Sequence, residues 1–512
     1  MHLKSLSTAF ALTCLVNAPL TAADAPPAEL AGLDAYVVKA MGDWKVPGLA
    51  IAVVKDDRLV WAQGFGLRSL SEGQKVDADT VFGIGSNTKA FTAAALGTLV
   101  DSGKLAWDAP VNNYLPGLRM YDPYVTREIT LRDLLSHRSG ICGEDGVWYG
   151  TDFSAQEIMA RLRYQKPAYS FRSQFCYSNS LYMAAGEVIP AITGSSWSDY
   201  VRSHFLQPLH MDATVTSVSS LAHHPDVATP HAEVDGRIEP IRWDNTDNID
   251  PAGAIDSSVR DISHWMRMLL ADGHYEDKQI LSAGVIHEME TPQMLIGGSD
   301  EEAKFLSALN PDSHFYAYGL GFFMQDYSGT KVLWHSGHID GMSAGLGLVP
   351  SQHLGVVVLS NMDQSWLPMA LVWRVVDAYQ HQPAKDWSAD VMAAVKPSYD
   401  SDKAAEAKME QAHESGTVPL PLAAYTGTYN NDLYGSLQVT LEGGKLVLHL
   451  SRRFSGEMEH WNHDTFQVRW AYDYLGKSYA TFGFDAAGEP TSLGLTGFTT
   501  YTRVTETHAV GQ

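Results

Sequence analysis

Residues 81–96 read VFGIGSNTKAFTAAAL, and this segment is the main indicator of the fold. Glycines precede Ser86, and the run that begins at Ala90 is rich in alanine, a strong helix former. The pattern predicts a turn and then a buried helix with Ser86 at its N-terminal end, where the helix dipole stabilises a developing negative charge. Lys89 follows one turn later on an apolar helix, so we expect a partly desolvated amine that works as a base. Ser86 and Lys89 are a candidate nucleophile and base, and the non-catalytic alternative is a capping serine with a solvated lysine.

Two other serines match nucleophile motifs in less suitable surroundings. Ser343 is the centre of GMSAG, residues 341–345, but a GxSxG motif works on a turn from strand to helix. Residues 346–350 favour a strand instead. Ser328 forms an SxxK pair with Lys331, but the two residues between them favour a turn, and only a helix stacks positions i and i+3 on one face. We interpret both matches as structural turns.

Two later segments supply further polar groups in a fixed order. Tyr177 and Asn179 form a YxN triplet before an apolar run, 181–192, that we expect to be helical. Tyr177 lies 91 residues after Ser86, and a strand ending in small residues follows 158 residues later, with the sequence His335-Ser336-Gly337-His338. A second YxN, at Tyr429-Asn430-Asn431, is interpreted as chance.

These three motifs together resemble those of the serine β-lactamase and penicillin-binding-protein superfamily. The resemblance is to the branch that contains class C β-lactamases, D-aminopeptidases, DD-carboxypeptidases and esterases. Connecting segments agree as well, namely LLSHRSGI at 134–141, PAGAIDSS at 251–258 and LSN at 359–361. The resemblance covers nearly the whole chain after residue 23, because residues 425–466 also look like the lipocalin-like β domain that some members carry.

The resemblance implies a role for each motif residue. Ser86 would attack a carbonyl and become acylated, while Lys89 and Tyr177 would share the general-base work; the sequence leaves open which of the two is the principal base. Asn179 would orient Lys89 and the substrate amide. The backbone N–H groups of Ser86 and His338 would form the oxyanion hole. No cofactor or metal is implied.

The third motif separates this chain from typical β-lactamases. They commonly carry Lys-Thr-Gly, whose lysine helps to bind a substrate carboxylate, whereas His335 is mostly neutral at pH 7. If His335 contacts an anionic group, kcat/KM for anionic substrates should gain on neutral ones as the pH falls through about 6.5. We therefore rank hydrolysis of D-amino-acid peptides or of esters first. The alternatives are a class C-like β-lactamase and a penicillin-binding or sensor protein that is acylated without turnover.

The order of strands and helices predicts an α+β domain followed by a small all-β barrel-like domain. Apolar runs at 49–55 and 58–64 read as one β-hairpin, and runs at 346–349 and 355–360 as another. The material between them is mostly helical, including 90–100 and Val259–Leu270. We expect an antiparallel sheet closed by the two ends of the domain, flanked by helices and joined by a helical subdomain.

Composition then divides the chain into four parts. Residues 1–23 are typical of a secretory signal peptide, with Lys4, an apolar run and small residues before a cleavage site. The apolar run is shorter than the ~20 residues that span a bilayer, so an uncleaved anchor is the weaker alternative. Residues 24–384 are the hydrolase-like domain, 385–418 an Ala-, Lys- and Glu-rich linker that is partly helical, and 419–512 the lipocalin-like β domain. The protein is expected to be periplasmic or secreted, without stable membrane insertion after cleavage.

Charge and cysteine content exclude several other classes of protein. Lys and Arg number 36 against 59 Asp and Glu, a net charge of −23 that disfavours binding to nucleic acid and anionic membranes. The expected partner is a small-molecule or peptide substrate. The sequence leaves the oligomeric state open, and a homo-oligomer is one of the alternatives. The three cysteines form no CxxC pair, which excludes a zinc ribbon. Sequence alone leaves Cys142 and Cys176 as thiols or a disulfide; the family resemblance places both beside the cleft and favours a disulfide.

Overall fold

A computed structural model describes residues 26–297, 301–310, 313–414 and 418–504. The predicted signal peptide, residues 1–23, lies outside the described residues. In the part of the chain that is described, no helix has the length and apolar character needed to cross a membrane.

The described residues up to 411 contain fourteen strands and fourteen α-helices, besides short 3-10 and π turns. The strands are β1 Gly48–Lys55, β2 Arg58–Gly66, β3 Phe82–Gly83, β4 His231–Val234, β5 Arg237–Pro240, β6 Asp256–Ser257, β7 His274–Tyr275, β8 Lys278–Gln279, β9 Met294–Ile296, β10 Tyr316–Tyr318, β11 Phe323–Tyr327, β12 Thr330–Ile339, β13 Met342–Val349 and β14 Leu354–Ser360. The helices are α1 Leu33–Asp43, α2 Thr88–Asp101, α3 Pro123–Glu128, α4 Leu131–Leu135, α5 Ala155–Arg161, α6 Asn179–Gly186, α7 Val188–Thr193, α8 Trp197–Val201, α9 Asp250–Gly253, α10 Val259–Leu270, α11 Ala283–Met289, α12 Glu301–Leu309, α13 Leu367–Tyr379 and α14 Trp387–Gln411.

Eight of these strands form one antiparallel sheet, in the order β2-β1-β14-β13-β12-β11-β10-β9. The two predicted hairpins are present as β1–β2 and β13–β14. Strand β1 pairs with β14, with Ala52 opposite Val357, so the two ends of the domain close the sheet. The predicted α+β class is confirmed.

Helices α10 and α13 cover opposite faces of this sheet. A Cβ atom built on Gly355 would lie 3.1 Å from Sδ of Met266 in α10, and one on Gly347 would lie 2.5 Å from Cγ1 of Val372 in α13. Gly355 pairs with Leu348, the neighbour of Gly347, and successive residues of a strand point to opposite faces. Burial on both faces explains why β1 and β14 read as uninterrupted apolar runs rather than as alternating ones.

Helix α14 occupies most of the segment interpreted as a linker. Its first turns carry Trp387, Val391 and Val395, which are buried in the core of the first domain. The indole N–H of Trp387 also donates to Asp377 of α13, at 2.6 Å. The beginning of this segment therefore packs as part of the first domain, and its later residues are mostly exposed.

A closed eight-stranded antiparallel barrel follows, in which each strand pairs with its neighbour in sequence and the last pairs with the first. Its strands are β15 Gly427–Asn431, β16 Gly435–Glu442, β17 Lys445–His449, β18 Ser455–Asn462, β19 Thr465–Trp470, β20 Lys477–Phe484, β21 Pro490–Leu495 and β22 Thr500–Arg503. The predicted all-β domain is confirmed. Strands β15, β18, β21 and β22 carry little sequence signal, because they are short or alternate buried residues with polar ones.

Candidate active site

Ser86 lies in a single 3-10 turn, Gly85–Asn87, that leads directly into α2. Ser86 is half-buried and stands at the N-terminal end of a helix whose first ten residues, 88–97, are all buried. The predicted local structure, glycine-rich turn followed by apolar helix, is present. Its Oγ therefore faces the end of the helix where the peptide dipoles are positive.

Lys89 stands one turn after Ser86 and has no exposed surface. Its Nζ lies 3.0 Å from Oγ of Ser86, 2.8 Å from Oδ1 of Asn179 and 3.0 Å from the carbonyl oxygen of Ala252. Burial lowers the pKa of Lys89 to about 7, against a smaller opposing effect of the negative charge on Asp145. A substantial fraction of this amine is therefore neutral near pH 7, as a base must be.

Tyr177 and Asn179 also contact the Ser86 and Lys89 side chains. The Tyr177 hydroxyl donates to Oγ of Ser86 at 2.8 Å, and Asn179 accepts from Lys89. Asn179 is the first residue of α6, which is capped by the Ser178 hydroxyl accepting from the N–H of Leu181. The helix predicted over 181–192 is interrupted at Glu187 and continues as α7.

The third motif lies on β12, whose backbone is pressed against the turn that carries Ser86. A Cβ atom on Gly337 would lie 1.9 Å from the carbonyl oxygen of Ile84, and one on Gly85 would lie 2.6 Å from the backbone nitrogen of His338. Gly85 also has φ +50, where side chains are disfavoured. The absence of side chains at Gly85 and Gly337 thus brings the N–H of His338 to the turn that carries Ser86. Ser336, which directly precedes Gly337, is half-buried.

His335 is buried, and burial disfavours the charged form of its ring. Its Nε2 lies 3.0 Å from the hydroxyl of Tyr318, and its Nδ1 lies 2.5 Å from the carbonyl oxygen of Ser336. Burial, with a smaller effect of the charge on Lys89, lowers the pKa of His335 to about 3. The lowered pKa removes the basis for a gain in kcat/KM on anionic substrates through protonation of His335 as the pH falls through about 6.5. Burial also lowers the pKa of His338, to about 4.

His137 is a site residue to which sequence reasoning assigned no role. Its Nδ1 accepts a hydrogen bond from the N–H of Ser178 at 3.1 Å, and its ring stacks on that of Tyr177 with centroids 4.2 Å apart. Burial, and then the charge on Lys89, holds its pKa well below the usual range, so the ring is a neutral acceptor. The sequence of segment 134–141 resembles that of the family but does not indicate a role for His137.

Three further contacts carry no sequence signal specific enough to find them. The carbonyl oxygen of Ala252 accepts from Lys89, and Tyr318 bonds to His335. Asp145 is exposed, and its Oδ1 accepts from Nδ2 of Asn179 at 3.0 Å. Ala252 lies in the short helix α9, Tyr318 in the short strand β10 and Asp145 in a 3-10 turn, and tertiary packing sets the position of such elements.

Glu144, beside Asp145, is a buried carboxyl group in the wall of the site. It accepts a hydrogen bond from the hydroxyl of Ser178, the middle residue of the YxN triplet. Burial, and then the negative charge of Asp145, raises the pKa of Glu144 to about 7. The wall therefore contains a second group that titrates near neutral pH.

Cys142 and Cys176 are joined in a disulfide, as the family resemblance favoured. Cys176 precedes Tyr177, and Cys142 is two residues before Glu144. The bond therefore links the YxN segment to the loop that carries Asp145.

Of the two rejected nucleophile motifs, only Ser328 lies in a turn as interpreted, whereas Ser343 lies in a strand. Ser343 belongs to β13, is fully buried and donates to the carbonyl oxygen of Met362. Ser328 lies in the turn before β12, and Lys331 on that strand pairs with Glu290. Among the described residues, no group of three or more His, Cys, Asp or Glu side chains is arranged to hold a metal ion.

Two family models match the chain. The model described as Beta-lactamase matches residues 33–380, and a domain of unknown function, DUF3471, matches residues 411–508. Among curated proteins, unguisins hydrolase ungD of Aspergillus violaceofuscus (strain CBS 115571) is 30% identical over 448 residues, which is 81% of this chain and 77% of that protein.

Solved structures share the fold over most of the chain. The octameric penicillin-binding protein homologue from Pyrococcus abyssi matches with a TM-score of 0.60 and 23% identity, covering 92% of this chain and 100% of that one. A D-stereospecific amidohydrolase from Streptomyces sp. matches with a TM-score of 0.53 and 23% identity, covering 67% of this chain and 97% of that one.

Proposed function

The chain belongs to the β-lactamase family of serine hydrolases, and we propose that it hydrolyses peptides containing D-amino acids, or related esters, through an acyl-enzyme on Ser86. The observation that carries this proposal is the position of the Ser86 hydroxyl, 3.0 Å from Nζ of Lys89 and 2.8 Å from the hydroxyl of Tyr177. A serine that contacts both a buried amine and a phenol has its proton acceptor in place.

The surroundings of Lys89 suit a neutral amine that accepts the proton of Ser86. A neutral amine has two N–H bonds and one lone pair. The oxygens of Asn179 and Ala252 can only accept, so they take the two N–H bonds. The lone pair then faces Oγ of Ser86, which supports Lys89 as the base, with Tyr177 donating to the same oxygen.

The reaction proceeds in two steps, acylation of Ser86 and hydrolysis of the acyl-enzyme. Oγ of Ser86 forms a bond to the substrate carbonyl carbon while its proton passes to the neutral amine of Lys89, and the N–H groups of Ser86 and His338 stabilise the oxyanion. The bond to the leaving nitrogen or oxygen then breaks, and that atom takes the proton. Water repeats the sequence on the acyl-enzyme, releasing the acid and restoring Ser86.

The third motif supports peptides and esters over β-lactam antibiotics. His335 occupies the position at which β-lactamases commonly carry a carboxylate-binding lysine, and it is buried and neutral. The curated relative is named a hydrolase of unguisins, and the fold is shared with a D-stereospecific amidohydrolase. A β-lactamase and a penicillin-binding protein that is acylated without turnover stay as alternatives, because Ser86, Lys89 and Tyr177 would serve either.

We also propose export to the periplasm or the medium, as the sequence of residues 1–23 predicts. The disulfide between Cys142 and Cys176 supports this, since such bonds persist mainly in oxidising compartments. A homo-oligomer is compatible with the octameric state of the Pyrococcus abyssi protein. The likeness of the barrel to lipocalins stays a prediction.

Turnover of three substrate classes tests the proposed function. We would compare kcat/KM for a D-alanyl p-nitroanilide, p-nitrophenyl butyrate and a chromogenic cephalosporin, each with wild type and with Ser86→Ala. The proposal expects Ser86-dependent turnover of the anilide or the ester at least about a hundredfold above that of the cephalosporin. Preferred hydrolysis of the cephalosporin would instead establish the β-lactamase alternative, and acylation without turnover would establish the binding protein.

A further inference from the structure

The barrel reaches the first domain through the turn between β17 and β18, residues 450–454. At its tip, Arg453 is 10% exposed and inserts between two carboxylates of the first domain, Asp244 and Asp340, pairing with both. Its Nη2 also donates to the hydroxyl of Tyr149 at 2.8 Å, and the guanidinium lies 4.5 Å from the centre of that ring. The Tyr149 hydroxyl in turn donates to Asp340.

The rest of the turn is packed just as closely. The hydroxyl of Ser451 donates to the carbonyl oxygen of Gly150 at 2.6 Å. Gly150 has φ +62, and a Cβ atom built on it would lie 2.7 Å from Cδ of Arg453 and 2.6 Å from Cε2 of Phe454. The close approach requires a glycine at residue 150.

Each of the three groups that Arg453 contacts belongs to a segment that also reaches the catalytic centre. The N–H of Tyr149 donates at 2.8 Å to the carbonyl of Asp145, whose carboxylate accepts from Asn179. Asp340 follows the end of β12, the strand of the third motif. Asp244 lies in the connection from β5 to α9, whose Ala252 accepts from Lys89.

The energetics distinguish this contact from an ordinary surface ion pair. The side chains of Asp244 and Asp340 are only 9% and 15% exposed, so removal of the guanidinium would leave two poorly solvated like charges. Arg452, next in sequence, pairs with Asp152, but these side chains are 90% and 49% exposed. Such an exposed pair contributes little.

We propose that Arg453 is a positioning residue for the reaction at Ser86, and that the barrel thereby holds the active site in its working arrangement. By holding Tyr149, Asp244 and Asp340 together, it fixes the three segments that place Asn179, the carbonyl of Ala252 and the strand with His338. This inference rests on the proposed function. Arg453 acts through these segments and is assigned no contact with the substrate.

The test compares Arg453→Gln with the matched control Arg452→Gln in the full chain. Active sites are counted by titration with a fluorophosphonate, and kcat and KM for p-nitrophenyl butyrate are expressed per titrated site, so that a partly unfolded sample does not mimic slow chemistry. We expect Arg453→Gln to lower kcat per site at least about tenfold with KM within about threefold. Arg452→Gln should stay within about twofold of wild type.

Arg453→Lys covers the case in which Arg453→Gln does not fold. Lysine keeps the charge but lacks the planar fork that reaches both carboxylates. We therefore expect the kcat per site of Arg453→Lys to lie between those of wild type and Arg453→Gln. Where only the lysine variant folds, we expect its kcat per site to be about threefold or more below that of wild type. Wild-type kcat per site in either Arg453 variant would overturn the inference. Failure of the wild type itself to label at Ser86 would overturn the proposed function, and the inference with it.

Discussion

Nζ of Lys89 lies 2.8 Å from Oδ1 of Asn179, a residue 90 positions later in the chain. The second end of the same amide, Nδ2, donates to Asp145 at 3.0 Å. An amide bonded at both ends has one orientation, so its oxygen is held toward Lys89. The charge state of Lys89 therefore depends on its burial, on Asn179 and on Asp145.

The pH dependence of wild-type activity follows from Lys89. Burial lowers the pKa of this amine to about 7, and only the neutral form accepts a proton. We expect kcat/KM for a neutral ester to rise as the pH increases through about 7 and then to level off. A profile that is flat from pH 5 to 9 would show that Lys89 is not the base whose titration limits the reaction.

Substitutions of Asn179 and of Asp145 should shift the rising limb of this pH profile in opposite directions. Asn179→Asp places a negative charge beside Lys89, which favours the ammonium form and shifts the limb to higher pH. Asp145→Asn removes the charge that raises the pKa of Lys89, so its limb should shift to lower pH. The measurement is kcat/KM for p-nitrophenyl butyrate from pH 5 to 10. Shifts in the same direction for both variants would contradict the assignment.

The disulfide should stabilise the protein and the site together. In the chain-entropy model, a loop of 34 residues corresponds to about 3 to 4 kcal/mol. We expect Cys142→Ser combined with Cys176→Ser to lower the free energy of unfolding by about that amount, measured by guanidinium denaturation without reductant. The same double variant should lose activity per titrated site, because the bond joins the segments of Tyr177 and Asp145. Unchanged stability would contradict the chain-entropy estimate.

Glu144 should make stability fall as the pH rises. Burial raises its pKa from 4.5 to about 7, so between these values the unfolded chain has released a proton that the folded chain still binds. Stability from this group is fully present below about pH 4.5 and is lost as the pH rises through about 7. Glu144→Gln should therefore exceed wild type in stability at pH 8, by on the order of 1–3 kcal/mol, and match it more closely at pH 5.

Chemical denaturation of both proteins at the two pH values measures this difference. Glu72→Gln, at an exposed position, is the matched control. A Glu144→Gln difference that is the same at both pH values, or no larger than that of the control, would contradict the role of burial.

The parts of the site that sequence predicted are those with a local pattern. Ser86 and Lys89 are recognisable because a glycine-rich turn and an alanine-rich helix fix their spacing, and Tyr177 and Asn179 because they precede another apolar helix. The sheet was predictable for the same reason, since β1 and β14 are long apolar runs. The neutral state of His335 was predicted, but its burial under Tyr318 was not, and that burial removed the expected titration.

The parts that sequence missed depend on contacts between distant loops. Asp145 is one of many acidic residues in the chain, and only the fold brings it to Asn179. Arg453 follows Arg452 directly, yet one is buried between carboxylates and the other is exposed. Strand β18 alternates exposed glutamates with buried residues and so gives no apolar run. Closure of the barrel, rather than local propensity, fixes such strands.

The site at which the protein is acylated tests most directly whether Ser86 is the nucleophile. Wild type and Ser86→Ala would be treated with a fluorophosphonate, and the adduct located by intact mass and peptide mapping. We expect one adduct per chain, on the peptide that contains Ser86, and none in Ser86→Ala. An adduct that persists in Ser86→Ala, or that maps to Ser328 or Ser343, would contradict this assignment.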